Sequence, residues 1–357
     1  MTKESDIAAV VPGVIDPDDL PRDRSAVDHH IAALLDAIGV ERNRKLFDDL
    51  LHSVADMASD QPETLNVKIA AAAIKEMSDA FEMFQPYIDR PKVTIFGSAR
   101  TKQDDPLYAQ ACDVARHLAE KGWMVVTGAG PGIMQAAMEG AGRDMSIGVS
   151  IRLPFEQAAN PIIAGDSKYV SMKYFFTRKL MLIKESMGFI CLPGGFGTLD
   201  EMFELLTLTQ TGKGVPVPIV LLDVPGDPYW EQLRQWIQDE LVTRNLVSPS
   251  DFALFRLTDS YEEAVEEIAR FYSNYDSMRY VGDKLVVRMR RAPDDEALAR
   301  LNADFATLCA RGRIEPASIS SIELRENDAV DMQRITFSFS KHGYGDLRRL
   351  IDALNAW

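Results

Sequence analysis

The 357-residue sequence is poor in cysteine, in basic charge and in long apolar runs, and each shortage closes off a class of protein. Its three cysteines, Cys112, Cys191 and Cys309, are isolated and odd in number. They supply neither a disulfide framework nor the paired spacing of a zinc site, and a reducing cytoplasm suits them. Lys and Arg number 39 against 54 Asp and Glu, a net charge of −15. That balance repels phosphate backbones, and no Lys/Arg-rich run reverses it locally, so no nucleic-acid partner is expected. A small nucleotide stays compatible, because a local site can be positive. Apolar stretches such as Ile69–Ile74 and Ile219–Leu222 are too short to span a bilayer, and the opening residues lack the basic-then-apolar order of an export signal. No membrane partner is expected, and the localisation reads as cytoplasmic. The histidines (His29, His30, His52, His117 and His342) lie outside every glycine loop described below. This argues against a histidine-based triad and most metal sites.

What is present falls into three textures. Residues 1–25 are Asp/Pro-rich with little periodicity and read as a loose arm. After it, Ile31, Leu34, Leu35 and Ile38, then Phe47, Leu50, Leu51 and Val54, recur at helical spacing, and Pro62-Glu63 opens a helix carrying Ile69, Ala73 and Met77. An N-terminal arm and helical segment is thus predicted over residues 1–90. Past Pro91, short apolar runs alternate with helical patterns. The strand candidates are Val93–Phe96, Met124–Thr127, Ile147–Ile151, Phe189–Leu192 and Ile219–Leu222. The helices between them are Tyr108–Lys121, Ile133–Arg143, Tyr174–Ser186 and Leu199–Thr211, followed by Trp230–Arg244 and Tyr261–Tyr272. Strands apolar on both faces, alternating with helices, predict an α/β domain over 91–275 with a parallel sheet covered on both sides. In such sheets ligands bind beyond the carboxyl ends of the strands. Over 276–357 the pattern predicts a small α+β accessory module, βαββα, that closes its own core. Its strands are Leu285–Met289, Ile319–Leu324 and a run with Ile335, Phe337 and Phe339; its helices are Glu296–Ala310 and one bearing Leu347, Leu350, Ile351 and Leu354.

Three glycine loops each follow a strand: Gly97-Ser98-Ala99-Arg100, Gly128-Ala129-Gly130-Pro131-Gly132, and Pro193-Gly194-Gly195-Phe196-Gly197-Thr198. Uncovered backbone N–H groups beside a helix N-terminus can cradle a phosphate, although any one of these loops also reads as a plain strand-to-helix turn. The second loop runs G-x-G-x-G with Pro131 inside it, and no acidic residue follows at the distance a dinucleotide site requires, so NAD is not expected. A Gly-Lys-Ser/Thr phosphate loop is absent, and nothing suggests a pyridoxal-phosphate lysine. No cofactor and no metal are expected.

The third loop continues Leu199-Asp200-Glu201, completing P-G-G-x-G-T-x-x-E, and Arg178-Lys179 lies upstream with Arg178 23 residues before Glu201. This combination resembles the LOG (lonely guy) family of nucleoside 5'-monophosphate phosphoribohydrolases, in its longer branch, many of whose members were labelled lysine decarboxylases. The resemblance spans roughly Lys92–Phe271. Ala129 interrupts a G-G-G of the family, and Phe175 stands where small members have Met. The resemblance implies a Rossmann-like sheet, hydrolysis of the N-glycosidic bond to free base and ribose 5-phosphate, and a homo-oligomer, dimer or higher. It implies Arg178 and Glu201 as the catalytic pair. Substrate-binding candidates are Gly97, Ser98, Gly130, Gly132, Lys179, Gly194, Gly195, Phe196, Gly197, Thr198 and Thr207. The base, an adenine or a cytokinin, stays open, as does a broader purine/pyrimidine monophosphate nucleosidase of salvage or a nucleotide-binding sensor without turnover. The proton donor to the leaving base also stays open, with water, Glu156 and Asp200 as candidates.

Two of these residues have a second reading. Thr198-Leu199-Asp200-Glu201 is also a capping box that would place Glu201 in the first helical turn, held ionised by the macrodipole and neighbouring N–H groups. That casts it as a base or cation stabiliser rather than a proton donor. On the preceding helix, Phe176, Leu180, Ile183 and Met187 form an apolar stripe from which Arg178 points away, so that it also reads as a solvated cation.

Overall fold

A computed structural model describes residues 24–153 and 159–356. The expected loose arm and the candidate Glu156 lie outside the described residues, apart from the arm's last two positions, which open a helix. The chain divides into two units between Ala71 and Ala72. The smaller contains α1 (Arg24–Ile38), α2 (Arg44–Ser59) and the first turns of α3 (Thr64–Phe84). Ile31 and Leu35 of the predicted stripe are buried on α1, and Gly39 at φ +76 terminates it.

The larger unit begins within α3 and continues through β1 (Lys92–Phe96), α4 (Pro106–Glu120), β2 (Met124–Thr127), α5 (Ile133–Ala141), β3 (Ser146–Ile151), β4 (Tyr169–Met172), α6 (Phe175–Lys184) and β5 (Gly188–Cys191). Next come α7 (Phe196–Gln210), β6 (Ile219–Leu222), α8 (Tyr229–Trp236), β7 (Arg256–Thr258) and α9 (Tyr261–Phe271). Among the described residues these strands form one seven-stranded parallel sheet, β4-β3-β2-β1-β5-β6-β7. The five predicted strands are its centre. Alternation explains how it is covered. Val93, Ile95, Val125, Ile190 and Val220 pack on one side with Val114, Leu118, Ala136 and Ile268 from α4, α5 and α9. Phe96, Met124, Val126, Phe189 and Leu221 pack on the other with Ala80, Phe84, Met181, Met202 and Leu205 from α3, α6 and α7. The Rossmann-like expectation is borne out. Strand order reverses between β1 and β5, and the crevice beyond their carboxyl ends is where such a sheet binds ligands.

The remainder departs from the predicted βαββα. It runs β8 (Tyr275–Val281), β9 (Lys284–Met289), α10 (Asp295–Asp304), β10 (Cys309–Pro316), α11 (Ser321–Glu326), β11 (Gln333–Phe339) and α12 (Tyr344–Asn355), with an antiparallel sheet ordered β10-β11-β9-β8. Ile319–Leu324, expected as a strand, is mostly α11. Ser320 and Glu323 form a reciprocal capping box there, which starts a helix and overrides the local strand preference. The expected helix to Ala310 stops at Asp304, because β10 begins at Cys309. Leu285, Val287, Ile335, Phe337, Leu347, Leu350 and Ile351 share a core with Leu254 and Phe271 of the preceding elements. A side chain at Gly345 would strike the Ser250 carbonyl.

Candidate active site

The three glycine loops leave β1, β2 and β5, which are neighbours, so the topology alone brings them to one rim. Their contacts lock them together. Ser98 N–H donates to the Pro193 carbonyl (3.3 Å), and Ile133 N–H donates to the Ser98 carbonyl (3.0 Å). A Cβ at Gly97 would come within 2.5 Å of the Ile133 side chain. At Gly132, with φ +66, it would strike the Ser98 carbonyl, so only glycine fits either place. Asn160 steadies the second loop through Asn160 N–H to the Ala129 carbonyl (2.9 Å) and Nδ2 to the Gly130 carbonyl (3.1 Å).

The third loop enters α7 at Gly195, which brings no side-chain cap. The first N–H groups of α7 therefore have neither an intrahelical nor a capping partner, an arrangement suited to an anion. Tyr229 Oη donates to the Gly194 carbonyl (2.6 Å). In a trans peptide the N–H points opposite to the C=O, so this bond turns the Gly195 N–H away from Tyr229. A Cβ at Gly195 or Gly197 would meet nothing within 4 Å, which leaves that face of the loop open. Phe196 projects beside it, 93% exposed.

Because α7 begins at Phe196 rather than Leu199, the expected capping box is not formed. Thr198 sits at the third helical position, and Glu201 falls in the second turn. Its charge is held by a different group: Arg178 Nη2 donates to Glu201 Oε1 at 2.8 Å. The Glu201 side chain is only 4% exposed, and Oε2 is buried with no hydrogen-bond partner, as is Arg178 Nε. Burial pushes the Glu201 carboxyl above its ordinary range, and Arg178 pulls it part of the way back.

The apolar stripe of α6 is inverted relative to expectation. Phe176 and Leu180 are exposed, whereas Thr177, Met181 and Leu182 are buried, and Arg178 turns inward with the Phe175 ring 5.4 Å from its guanidinium carbon. A Cβ at Gly128 would lie 3.7 Å from Arg178 Nη1 and 2.8 Å from Met134 Sδ, so the bare side of the second loop faces the pair. Among the described residues, no group of three or more His, Cys, Asp and Glu could hold a metal ion.

A family profile described as "Possible lysine decarboxylase" matches residues 132–268. A relative from Arabidopsis thaliana, named as a probable cytokinin riboside 5'-monophosphate phosphoribohydrolase, is 33% identical over 144 residues, covering 39% of this chain and 68% of the relative. This chain belongs to the LOG family. A similarly named relative from Oryza sativa subsp. japonica is 26% identical over 224 residues, 61% of this chain and 84% of that one. One from Mycobacterium tuberculosis is 29% identical over 167 residues, 44% and 83% respectively. Among solved structures, a molybdenum cofactor carrier protein from Chlamydomonas reinhardtii covers 51% of this chain and 97% of its own, at 19% identity and a TM-score of 0.37.

Within this LOG chain the candidate residues divide. Gly97, Ser98, Gly130, Gly132, Gly194, Gly195, Phe196, Gly197 and Thr198 lie on the converging loops, with Arg178 and Glu201 beside them. Lys179 is engaged elsewhere: its ammonium is 3.0 Å from Asp200 Oδ2 and 2.5 Å from Glu204 Oε2, bracing α6 against α7. Thr207 lies further along α7, donates to the Phe203 carbonyl (2.7 Å), and lines a separate apolar pocket of about 100 Å³ with Leu206, Ile237 and Phe252. Sequence reasoning missed Tyr229, Asn160 and Met134. Asp223-Val224-Pro225-Gly226-Asp227 ahead of Tyr229 was a legible loop-to-helix signal after β6.

Proposed function

We propose that this protein hydrolyses the N-glycosidic bond of nucleoside 5'-monophosphates of the AMP or cytokinin riboside type, releasing free base and ribose 5-phosphate. The carrying observation is the Arg178–Glu201 pair, buried beside Gly128 of the second loop, with Glu201 on the helix that follows the third and its Oε2 left without a partner. An unpartnered carboxylate oxygen in such a place is costly, and a ribose hydroxyl or an attacking water would satisfy it. The uncapped start of α7 takes the 5'-phosphate through the N–H groups of Gly195–Thr198, with Ser98 and Gly130–Gly132 alongside. Binding there fixes the ribose beside Glu201.

Cleavage builds an oxocarbenium-like cation at the anomeric carbon, which a fixed carboxylate stabilises before water adds. Glu201 acts in its ionised form as that stabiliser or as the base that activates the water; Arg178 keeps it ionised and oriented. Lys179 supports this geometry from outside the phosphate cradle, through Asp200 and Glu204. The reaction consumes only water. A homo-oligomer, dimer or higher, accords with the exposed Phe175, Phe176, Leu180 and Phe196. No described helix is long and apolar enough to cross a membrane, and the three cysteines are free, which supports a cytoplasmic setting.

The test is a panel of purine, pyrimidine and cytokinin riboside monophosphates, scored for free base and ribose 5-phosphate, with adenosine as control. Monophosphates should be cleaved and adenosine far more slowly. Intact monophosphates that still bind would replace this reading with that of a sensor.

A further inference from the structure

The helix that presents Arg178 has no cap of its own. Tyr174, at the N-cap of α6, makes no side-chain cap bond. A carboxylate from far upstream occupies that position instead. Glu76, on the part of α3 that belongs to the larger unit, is 5% exposed, and its oxygens accept from Lys173 N–H (2.6 Å), Tyr174 N–H (3.5 Å) and Thr177 Oγ1 (2.7 Å). Arg152 Nη2 adds a fourth bond at 3.1 Å from the end of β3. A buried carboxylate on a helix N-terminus is favoured by the exposed N–H dipoles there, and its bonds fix both the entry angle and the rotation of α6. Thr177 directly precedes Arg178, so the rotation that buries Thr177 against Glu76 is the one that turns Arg178 inward.

Glu76 lies outside residues 132–268 matched by the family profile. We infer that Glu76 is a positioning residue for hydrolysis: the part of α3 within the larger unit caps α6 and so sets Arg178 against Glu201. This rests on the proposed function for its kinetic readout and on the Arg178–Glu201 contact for its spectroscopic one. Arg178 lowers the carboxyl pKa of Glu201 against the effect of burial, so a misplaced guanidinium lets that pKa rise.

The experiment compares wild type with Glu76→Ala, Glu76→Gln and Thr177→Val. AMP hydrolysis is followed against pH, and the Glu201 carboxyl is titrated by carbon NMR, assigned with Glu201→Gln. Glu76→Ala should lower kcat about 10²-fold with little change in KM, as misplacement by about 1 Å does. It should also move the acid limb of the pH profile and the Glu201 titration to higher pH. Glu76→Gln, which keeps an acceptor for the Lys173 N–H, should recover most of the rate; Thr177→Val should fall between. If Glu76→Ala does not fold, Thr177→Val carries the same titration test. Loss of melting temperature with an unmoved Glu201 titration would reduce Glu76 to a structural cap and overturn the inference. If wild type cleaves no monophosphate, the functional reading fails, and the titration still decides the role of Glu76.

Discussion

Two buried arginine–glutamate arrangements in this protein face opposite ways chemically. In the terminal α+β region, Glu323 Oε1 accepts from Arg288 Nη2 (2.7 Å) and Nε (3.0 Å) and from Arg334 Nε (3.3 Å), while Oε2 accepts from Ser320 N–H (2.9 Å) and its hydroxyl (2.8 Å). Asp328 accepts from Arg288 Nη1 and Nη2, and the Ser277 hydroxyl accepts from Nη1 as well. At the loop rim, Glu201 has one partner and an empty second oxygen. Burial acts on both carboxyls in the same direction; for Glu323 the bonds from Ser320 and Arg288 overcome it and bring the pKa down to about 2, whereas for Glu201 burial wins. A saturated cluster holds a fold together. An unsaturated one keeps bonding capacity in reserve for a ligand.

The comparison breaks most sharply if Glu201 is neutralised. Glu201→Gln should slow AMP hydrolysis by about 10²–10⁴-fold while the melting free energy stays within about 1 kcal/mol of wild type, since an amide oxygen can still accept from Arg178. A variant hydrolysing AMP at wild-type rate would end the catalytic assignment. Glu323→Ala should do the reverse, destabilising the protein by about 3–5 kcal/mol because the buried Arg334 guanidinium is left with carbonyl partners only and Arg288 keeps Asp328 alone as its acidic partner, with kcat unchanged in the folded fraction. Chemical denaturation alongside kinetics checks both.

Acidity sharpens the contrast. With Glu201 acting in its ionised form as proposed, activity should fall as pH drops through a value above the ordinary 4.5 of a glutamate. Glu323 has a depressed pKa, so its stabilisation is complete above about 4.5 and is lost as pH falls toward about 2. The protein should thus lose turnover before it loses the Glu323 contribution, measurable as the stability gap between wild type and Glu323→Ala across that range. The smallest effect is expected at Tyr229. Tyr229→Phe removes one hydrogen bond to the Gly194 carbonyl and should raise KM for AMP about three- to tenfold, leaving adenosine hydrolysis and melting unchanged. An equal effect on both substrates would detach Tyr229 from the phosphate.

Central strands were legible because burial on both faces demands continuous apolar runs. The edge strands β4 and β7 carry Tyr-Val-Ser-Met and Arg-Leu-Thr, each half-wet, and gave no such run. Strand β8 was missed although Gly282-Asp283, with Gly282 at φ +62, is a two-residue hairpin signal joining it to β9. Arg178 and Glu201 were legible through their motif, but their orientation was not. A stripe of Phe176 and Leu180 looks like core when periodicity is the sole guide, and the partner that rotates α6 the other way sits a hundred residues upstream at Glu76. Lys179 illustrates the same limit, since spacing reveals a cation but not the carboxylates that claim it.

The core shared by Leu254, Phe271 and α12 carries a consequence for biosynthesis. As the chain leaves the ribosome, the parallel sheet can assemble while Leu254 and Phe271 still face water, because the α12 residues that cover them are translated after the strands of that sheet. The nascent protein therefore passes through a stage in which its glycine-loop rim is built but an apolar flank stays open to chaperones and to other nascent chains. Arrival of Leu347, Leu350 and Ile351 closes that flank.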